Sequence, residues 1–278
     1  ALKSAINQDW ENKEIILIDD CSTDNSTTIL SKLKSQYPQI QLIINSKNRG
    51  LAYNENTIVK KAKGDFIAFF DGDDESQINR ISKQYQRFLE YKTKYPDSKI
   101  IVYSNREVFP INDAEKSFTR FAIGRKSPEP YGKIVANYIL NVKKKSDKFC
   151  WGWFGSCTMF TKASYIKNIN GFDKDFKRSA ELDFAIRGAI KDYHFISVNE
   201  SLVKQYLTFG EHKTLKKHLL SRRQLVEKHK KYLCQNLLYT SSIINTYAWY
   251  WYTKKVNFIG HFFRLFACCF SLMNKFTK

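Results

Sequence analysis

Proline and glycine are scarce in this 278-residue chain, which has 5 prolines and 11 glycines. No Pro/Gly-rich linker, internal repeat or low-complexity tract divides the sequence. Its length therefore fits one large domain, or one domain with an appendage. Hydrophobic residues make up 43% of the chain and aromatic residues 15%, which is enough for a packed core and excludes global disorder.

Cysteine is present, but without the spacing of a zinc site or a CxxC motif. We therefore expect the reduced thiols of a cytoplasmic protein rather than a disulfide framework. A signal peptide is not apparent either, because Lys3 and Asp9 interrupt any apolar run at the start. The first residues resemble the middle of a helix, so we expect a further segment before Ala1.

Negative charge is in deficit, since 27 acidic residues face 46 basic ones and the formal net charge is +19. The excess is concentrated late in the chain, where residues 201–278 contain 14 basic residues and only Glu211 and Glu227 as acids. Such a basic segment indicates an anionic partner, either nucleic acid or the surface of an anionic membrane.

Strand and helix patterns alternate along the first two thirds of the chain. Apolar runs predict buried strands at 14–20, 40–45, 65–71 and 99–105. Helical spacing predicts helices between them, at 21–37, 48–64 and 78–91. A helix at 180–193, a strand at 194–207 and a mainly helical segment from Lys213 follow. The alternation favours a parallel α/β sheet with right-handed crossovers.

Two of the first three predicted strands end in acidic residues: Asp19 and Asp20 after the first, and Asp71, Asp73 and Asp74 after the third. Ligands of open parallel sheets bind outside the carboxyl ends of the strands, so we expect both clusters at one edge. Clustered carboxylates are unfavourable unless a cation or hydrogen-bond donors offset them. A divalent metal with oxygen ligands, joined by an anionic diphosphate, would do so. Taken singly, each cluster is also typical of a solvated turn or a helix cap.

The order of these motifs resembles the nucleotide-binding half of family 2 glycosyltransferases with the GT-A fold. The matching stretches are EIILIDDCSTD (14–24), NRGLAYNEN (48–56) and DFIAFFDGDD (65–74), and GFDKDFKRSAELDFAIRGA (171–189) is similar to a later family segment. The resemblance extends over about residues 1–233. It implies a Rossmann-like, mostly parallel sheet flanked by helices. We expect a catalytic domain at 1–212 and a helical basic and aromatic extension at 213–278.

The resemblance also implies roles for individual residues in binding a nucleotide-sugar and a metal. Asp20, together with Asp19, would contact the nucleotide base, and Asp71 would contact the ribose. Asp73, with Asp71 beside it, would hold Mn²⁺ or Mg²⁺ on the diphosphate. The remaining donor-site positions implied by the matched motifs are Ser22, Asn48, Gly50, Asn56 and Gly72.

The family's catalytic base belongs to a Glu-Asp pair, which aligns here with Ala180 and Glu181 and makes Glu181 the implied base. Asp183 is the alternative, although its spacing to Arg187 also suits a salt bridge along a helix. The reaction would be a single displacement with inversion, in which the carboxylate accepts a proton from the acceptor hydroxyl. Glu55 stands where the family usually has arginine.

Three aromatic residues, Trp151, Trp153 and Phe154, are candidates for an acceptor-sugar platform. They could equally be core aromatics.

The last segment, 241–278, carries only positive charges and many aromatic residues. Lys254, Lys255 and then Arg264 interrupt the run of about 20 apolar residues that a spanning helix needs. Aromatic residues at 249–252 are of the kind that favours the headgroup region. The stripe Phe258, Phe262, Leu265, Phe266 and Cys269 has the spacing of an amphipathic helix that lies in the interface. The alternative is that this stripe packs on the catalytic domain or on another subunit.

The resemblance implies a metal-dependent transferase that moves a sugar, from a UDP-sugar by preference, to a glycan or lipid-linked acceptor. The setting would be bacterial surface polysaccharide synthesis at the inner face of the plasma membrane, without a nucleic-acid partner. A weakly catalytic nucleotide-sugar binder, a basic nucleic-acid-binding protein and a nucleotidyltransferase remain alternatives. The first is suggested by Ala180 and Glu55, the second by the net charge, and the third by the shared α/β fold and metal-binding acids.

Overall fold

The computed structural model describes residues 1–110, 116–141, 146–207 and 214–276, with side chains up to 270. The chain forms two compact units: Ala1–Gly132 with Asp147–Thr208, and Lys133–Ser146 with Phe209–Lys278. The expected boundary at 212/213 differs from this division because Lys133–Ser146 belongs to the second unit. The reason is visible in its hydrogen bonds, since Ser242 Oγ donates to the Leu140 carbonyl at 2.7 Å.

The first unit contains the predicted alternation of strands and helices. Its strands are β1 (Ile15–Asp19), β2 (Ile40–Ile44), β3 (Phe66–Ala68), β4 (Glu75–Ser76), β5 (Ile100–Phe109), β6 (Phe118–Arg120), β7 (Phe160–Lys162) and β8 (His194–Tyr206). Its helices are α1 (Leu2–Ile6), α2 (Ser26–Gln36), α3 (Leu51–Lys61), α4 (Arg80–Lys94), α6 (Ala163–Asn168) and α7 (Ala180–Ile190). Helix α5 (Lys133–Ile139) belongs to the second unit.

The strands form a mixed arrangement rather than a mostly parallel sheet. Strands β1 and β2 pair in parallel, and a six-stranded sheet has the order β3-β7-β5-β8-β4 with β6 on β5. In that sheet β5 and β8 are parallel, whereas the other described pairs are antiparallel. The prediction failed here because β7 is a three-residue strand in an aromatic segment that showed no strand periodicity, and it inserts between β3 and β5.

The core of the first unit lies between helix α4 and the larger sheet. Phe88 and Tyr91 of α4 pack with Ile100 and Val102 of β5, Phe160 of β7 and Ile196 of β8. Apolar residues at helical spacing on α4 and continuous apolar runs on the central strands account for this layer. The segment that follows β3, residues 69–74, lies at the carboxyl end of that strand.

A register shift in the β5–β8 pair separates Ser104, Asn105 and Arg106. Irregularities of this kind re-aim side chains and are frequent beside functional sites. Asn105 is tied on both sides, since its Oδ1 accepts from the Ala122 N–H and its Nδ2 donates to Asn199. Arg106 follows directly and is buried, with 8% of its surface exposed.

The second unit is helical among its described residues, as expected beyond Lys213. Besides α5 it contains α8 (Leu215–Lys228), α9 (Lys230–Gln235), α10 (Tyr239–Thr253) and α11 (Asn257–Phe276). Helices α10 and α11 pack as a hairpin in which Tyr247 stacks on Phe263 with ring centroids 6.0 Å apart. A Cβ on Gly260 would lie 2.8 Å from the Tyr252 ring, so glycine permits this close approach. No helix among the described residues is long and apolar enough to cross a membrane.

Candidate functional site

Asp20 connects the end of β1 to the loop before α3. Its Oδ1 accepts from the Arg49 N–H at 2.8 Å and from Asn45 Nδ2 at 2.9 Å. Its Oδ2 accepts from the Gly50 N–H at 2.9 Å. Burial alone would raise the pKa of Asp20, but these hydrogen bonds and one from Asn54 outweigh it and lower the pKa. A stable carboxylate is thereby fixed at the carboxyl end of the strand.

The other predicted donor-site residues near β1 take different positions. Asp19 is buried at 4% exposure, and its Oδ2 accepts from the Ser22 N–H at 3.1 Å. Asn48 is exposed. Gly50 has φ +82°, a left-handed conformation that favours glycine, and helix α3 begins at the next residue. The structure therefore brings Asp20 and Gly50 together, and it pairs Asp19 with Ser22.

The acidic turn after β3 carries unequal environments within four residues. Asp73 and Gly72 are exposed, Asp71 is half-buried and Asp74 is buried at 4% exposure. Burial, followed by repulsion from Asp73, raises the pKa of Asp71 to about 6. Burial, followed by repulsion from Asp71 and Asp73, raises the pKa of Asp74 to about 7. The turn thus holds carboxylates that a cation would stabilise.

The donor atoms at this turn fit a hard divalent cation. Oxygens of Asp71 and Asp74 lie within 4.8 Å of each other and of Cys157 Sγ. Neither oxygen of Asp74 has a hydrogen-bond partner among the described residues. Burial raises the pKa of the Cys157 thiol to about 12, so the sulfur stays protonated and is a poor ligand. The oxygens alone match the preference of Mg²⁺ and Mn²⁺.

Two buried guanidinium groups partly balance these carboxylates. Arg80 is fully buried and donates to the Phe69 carbonyl at 2.9 Å and to Gln84 Oε1 at 3.1 Å. Arg106 Nη1 lies 3.5 Å from Cys157 Sγ, and both arginines lower the pKa of Asp71. A Cβ on Gly155 would lie 2.1 Å from Arg106 Nη1, so only glycine leaves room for this guanidinium.

Three successive side chains of α3 connect the separate motifs. Asn54 Oδ1 accepts from Asn45 Nδ2 at 2.9 Å, beside Asp20. Glu55 is buried, and burial raises its pKa well above the usual range despite a hydrogen bond from Ser156, with Asp71 and Glu181 adding to the rise. Asn56 donates to the Phe172 carbonyl at 2.6 Å and accepts from the Phe172 N–H at 2.8 Å. Helix α3 therefore links the β1 end, the acidic turn and the 171–172 segment.

Asn56, which the motif implied as a donor-site residue, makes its hydrogen bonds to the backbone of Phe172. Both polar atoms of its amide are used in the bracket around Phe172. A Cβ on Gly171 would approach Asn56 Oδ1 to 2.1 Å, which shows how tightly the segments meet. This geometry favours a structural role for Asn56 over direct contact with a nucleotide.

Glu181 and Asp183 occupy the first turn of α7 in contrasting environments. Glu181 is half-buried, and burial raises its pKa, while Arg106 and Arg178 oppose the rise and Asp71 adds to it. Asp183 is fully buried and accepts from Arg187 Nε at 2.8 Å. Arg187 also donates to the Gly171 carbonyl at 2.6 Å. The geometry thus favours the salt-bridge alternative for Asp183 and leaves Glu181 as the carboxyl beside the acidic turn.

The predicted aromatic platform divides into exposed and buried members. Trp153 is 55% exposed, whereas Phe154 is 6% exposed and packs edge-on against Tyr103. Trp151 is half-buried and packs on Phe149 with centroids 5.7 Å apart. Phe154 is therefore a core aromatic, and Trp153 is the member whose face is available to a ligand.

Sequence reasoning identified the acidic turn but missed Arg106 and Cys157 as its neighbours. Arg106 lies among polar residues of β5, just beyond the predicted strand 99–105, and Cys157 lies in a glycine-containing segment, so no local motif connects them. The sequence carried no local signal for the burial of Arg106, because its neighbours Asn105 and Glu107 are polar as well.

The segment that holds this site also carries the match to known proteins. The glycosyl transferase family 2 profile matches residues 1–160, which include both acidic clusters and helix α3. The chain belongs to glycosyl transferase family 2. The resemblance seen in the motifs is thereby confirmed.

Individual relatives are distant and match in part. The cholesterol galactosyltransferase of Borreliella burgdorferi is 27% identical over 239 residues, covering 78% of this chain and 66% of that protein. An Escherichia coli enzyme named UDP-Glc:alpha-D-GlcNAc-diphosphoundecaprenol beta-1,3-glucosyltransferase is 35% identical over 135 residues, covering 48% of each protein. The chain thus spans less than two thirds of the length of these curated relatives.

A similar solved structure is that of Staphylococcus aureus TarS residues 1–349 in complex with UDP-GlcNAc. Its TM-score is 0.59 at 16% identity, and the match covers 88% of this chain and 67% of that one. This likeness confirms the GT-A fold, with a mixed sheet flanked by helices and a helical C-terminal region.

Proposed function

We propose that this family 2 chain transfers a sugar from a nucleoside-diphosphate sugar to a glycan or lipid-linked acceptor, with inversion. The observation that carries the proposal is the convergence of Asp71, from the turn after β3, and Glu181, from α7. The charge of Asp71 adds to the raised pKa of Glu181, although the two residues are far apart in the chain. This electrostatic contact supports a site in which the donor and the base act together.

A UDP-sugar is the favoured donor, and bacterial surface polysaccharide synthesis is the proposed setting. Two observations from similar proteins support this assignment: one relative is named for its use of UDP-Glc on a diphosphoundecaprenol acceptor, and the TarS structure contains UDP-GlcNAc. Asp20, Gly50, Asp19 and Ser22 would contact the nucleoside, because they surround the carboxyl end of β1. Asn48 and Gly72, both exposed, would line the same donor site.

Asp71 and Asp73 would hold Mn²⁺ or Mg²⁺, which neutralises charge on the departing nucleoside diphosphate when bound. The carboxylate that groups with Asp71 in the structure is the buried Asp74, so Asp73 would join the metal from the exposed part of the turn. Arg80 and Arg106 partly offset the negative charge of Asp71 before the donor binds.

Glu181 would accept the proton from the attacking acceptor hydroxyl. Its raised pKa makes it a stronger base than an exposed glutamate, and Arg106 and Arg178 favour its ionised form. Trp153 would supply an apolar face for the acceptor sugar, and Trp151, which packs on Phe149, would add to it. A carboxylate base on the face opposite the leaving group gives inversion in a single displacement.

A second candidate, a nucleotide-sugar binder with weak turnover, is favoured by Glu55. Glu55 places a buried carboxyl with a raised pKa beside Asp71 and Glu181, so the positive charge of the arginine that family members usually carry is missing there. Measured turnover separates the two candidates. We expect Mn²⁺-dependent thermal stabilisation in a screen of UDP- and GDP-sugars, followed by release of UDP with the stabilising donor. Stabilisation without release would favour the binder, and no stabilisation by any sugar nucleotide would contradict both.

Peripheral attachment to the cytoplasmic face of an anionic membrane is the proposed location, with α11 as the contact. Its stripe is exposed to an extent unusual for large apolar side chains: Phe258 76%, Leu265 68%, Phe262 61% and Phe266 51%. No acidic residue follows Glu227 in the sequence, so the charges near the stripe are complementary to anionic lipid.

Sedimentation with phosphatidylglycerol vesicles tests this location. We expect the full chain to sediment at low salt and to be partly released at high salt. Replacing Phe258, Phe262 and Leu265 with serine should reduce bound protein by about 10-fold, because insertion depends on buried apolar area. Ile29→Ser, at a 55% exposed position on α2, is the matched control. A full chain that ignores these vesicles at low salt would contradict the assignment and leave α11 as a packing element.

A further inference from the structure

An exposed aromatic surface in the first unit surrounds Trp153. Phe121 is 51% exposed and Phe118 is 45% exposed, and the Trp153 backbone N–H donates to the Phe121 carbonyl at 2.9 Å. Three large aromatic side chains thus share a short stretch of surface around β6. We call Phe118, Phe121 and Trp153, with the arginines described next, the β6 surface. Aromatic faces of this kind stack on the apolar faces of sugars.

Two guanidinium groups lie against these rings. Arg120 Cζ is 4.9 Å from the centroid of Trp153 and 5.6 Å from that of Phe118. Arg125 Cζ is 4.7 Å from the centroid of Phe121, and its Nη1 also contacts the Trp151 carbonyl at 3.4 Å. Stacking of this type holds a guanidinium flat. Arg125 Nη1 also donates to the Ala122 carbonyl, so the remaining N–H groups of the two arginines are the ones that would bind a ligand.

Neither guanidinium forms an ion pair with a carboxylate of the residues that the structure describes. Glu107, the acidic residue next to Arg106 on β5, lies opposite Thr119. It accepts a hydrogen bond of 2.8 Å from Ser117 Oγ. Arg120 lies directly across the strand pair from Arg106. Burial, followed by the charge of Arg106, lowers the pKa of Arg120. The surroundings therefore disfavour the charged form of Arg120, and a bound anion would stabilise that form.

The β6 surface is also continuous with the site already described. Arg106, the cross-strand neighbour of Arg120, is a cation that opposes the raised pKa of Glu181. Arg120 thus packs on the exposed ring of Trp153 and is the cross-strand neighbour of Arg106, whose charge acts on Glu181. A ligand bound to Arg120 would therefore lie beside a residue whose charge acts on the proposed base.

We propose that the β6 surface binds an acceptor saccharide that carries an anionic group, either a phosphate ester or a uronate. The sugar rings stack on Trp153 and Phe121, and the guanidinium of Arg120, assisted by Arg125, binds the anion. This assignment rests on the proposed function and adds to it the chemical class of the acceptor. Arginine suits both anions because its planar fork donates two parallel hydrogen bonds.

The test uses three forms of one disaccharide: neutral cellobiose, cellobiouronic acid and cellobiose 6-phosphate. Their binding to the full chain is measured by calorimetry at low ionic strength, with UDP and Mn²⁺ present to occupy the donor site. We expect at least one anionic form to bind about 10-fold more tightly than cellobiose, the scale of a charge-assisted pair. The anion that binds more tightly, phosphate or uronate, identifies the acceptor type.

Variants separate the β6 surface from the general positive charge of the protein. Arg120→Met should remove the preference for the anionic forms, and Arg120→Lys should keep part of it. Trp153→Ala should weaken all three forms by a similar factor. Lys167→Met, which removes an exposed charge from α6, is the control and should change nothing.

Equal binding of the three forms by the wild-type chain would overturn the inference, as would an anion preference that survives Arg120→Met. An equal loss in Lys167→Met would also overturn it, since charge alone would then explain the preference. Binding of UDP with Mn²⁺ is measured separately. Its absence would reject the proposed function, whereas UDP binding without anion preference would reject this inference alone.

Discussion

Asp183 Oδ2 accepts a hydrogen bond of 2.8 Å from Arg187 Nε, one turn further along α7. Asp183 is fully buried, and Arg187 extends the pair by donating to the Gly171 carbonyl. The pair therefore fixes α7 to the segment before it, and α7 in turn positions Glu181. A carboxylate that serves this purpose is poorly placed to accept a proton from a substrate.

Glu181→Gln is expected to lower turnover by at least about 100-fold, the scale of lost general-base catalysis. Binding of UDP with Mn²⁺ should stay within a factor of about two, because the amide keeps the size of the side chain. The measurement is the rate of UDP release at saturating donor, with calorimetry for donor binding. A Glu181→Gln variant with wild-type turnover would exclude this residue as the base.

Asp183→Asn is expected to act on stability instead. Weakening a buried pair whose arginine is partly exposed should cost about 1–3 kcal/mol of unfolding free energy. Denaturant unfolding measures this cost, and turnover of the protein that remains folded should be largely retained. If Asp183→Asn abolished turnover at unchanged stability while Glu181→Gln did not, the two roles would have to be exchanged.

Asp20→Ala should loosen the loop before α3. The N–H groups of Arg49 and Gly50 would lose their acceptor, so their amide hydrogens should exchange with solvent faster by about 10-fold or more. Hydrogen exchange followed by mass spectrometry over residues 46–52 is the measurement. The control is Asp24→Ala, which removes an exposed carboxylate that accepts from Ser26 in the adjoining turn. Unchanged protection of the loop in Asp20→Ala would show that these hydrogen bonds do not hold it.

Much of the order of strands and helices could be predicted, because clear hydrophobic periodicity marks these elements. The strands at β1, β2 and β5 and the helices α3, α4 and α7 all lie within the predicted segments or overlap them. The acidic turn was found from local sequence, since three carboxylates after an apolar strand need an explanation. The exposed stripe of α11 also lies where helical spacing placed it.

The remainder depends on contacts between distant residues. Strand β7 is too short for periodicity, and only its pairing with β3 and β5 makes it a strand. Arg106 and Cys157 meet across 51 residues. The sequence left Asp183 open between a base and a salt bridge to Arg187, and only the folded structure buries it in that pair. Sequence spacing alone does not show which buried charges find partners.

Glu55→Gln should change the pH dependence of stability. The pKa of Glu55 is higher in the folded than in the unfolded protein. Its contribution to the free energy of unfolding is therefore fully present below the unfolded-state pKa and is lost as the pH rises through the folded-state pKa. The glutamine variant lacks this loss. Its melting temperature should therefore rise relative to wild type as the pH increases above the ordinary pKa of a glutamate.

Thermal unfolding of both proteins across that range, without metal, is the measurement. Glu90→Gln makes the same chemical change at an exposed position on α4, so it is the control and should show no such trend. A constant difference in melting temperature between Glu55→Gln and wild type would mean that Glu55 does not titrate in this range.

Binding of UDP in the presence of Mn²⁺ tests the central claim most directly, namely that the acidic turn after β3 binds a metal-linked nucleotide. Calorimetry compares wild type with Asp73→Asn, and with Asp65→Asn as a control for the same chemical change at an exposed position just before β3. The account predicts Mn²⁺-dependent UDP binding in wild type and Asp65→Asn, and its loss in a folded Asp73→Asn protein. Wild-type affinity for UDP and Mn²⁺ in Asp73→Asn would contradict it.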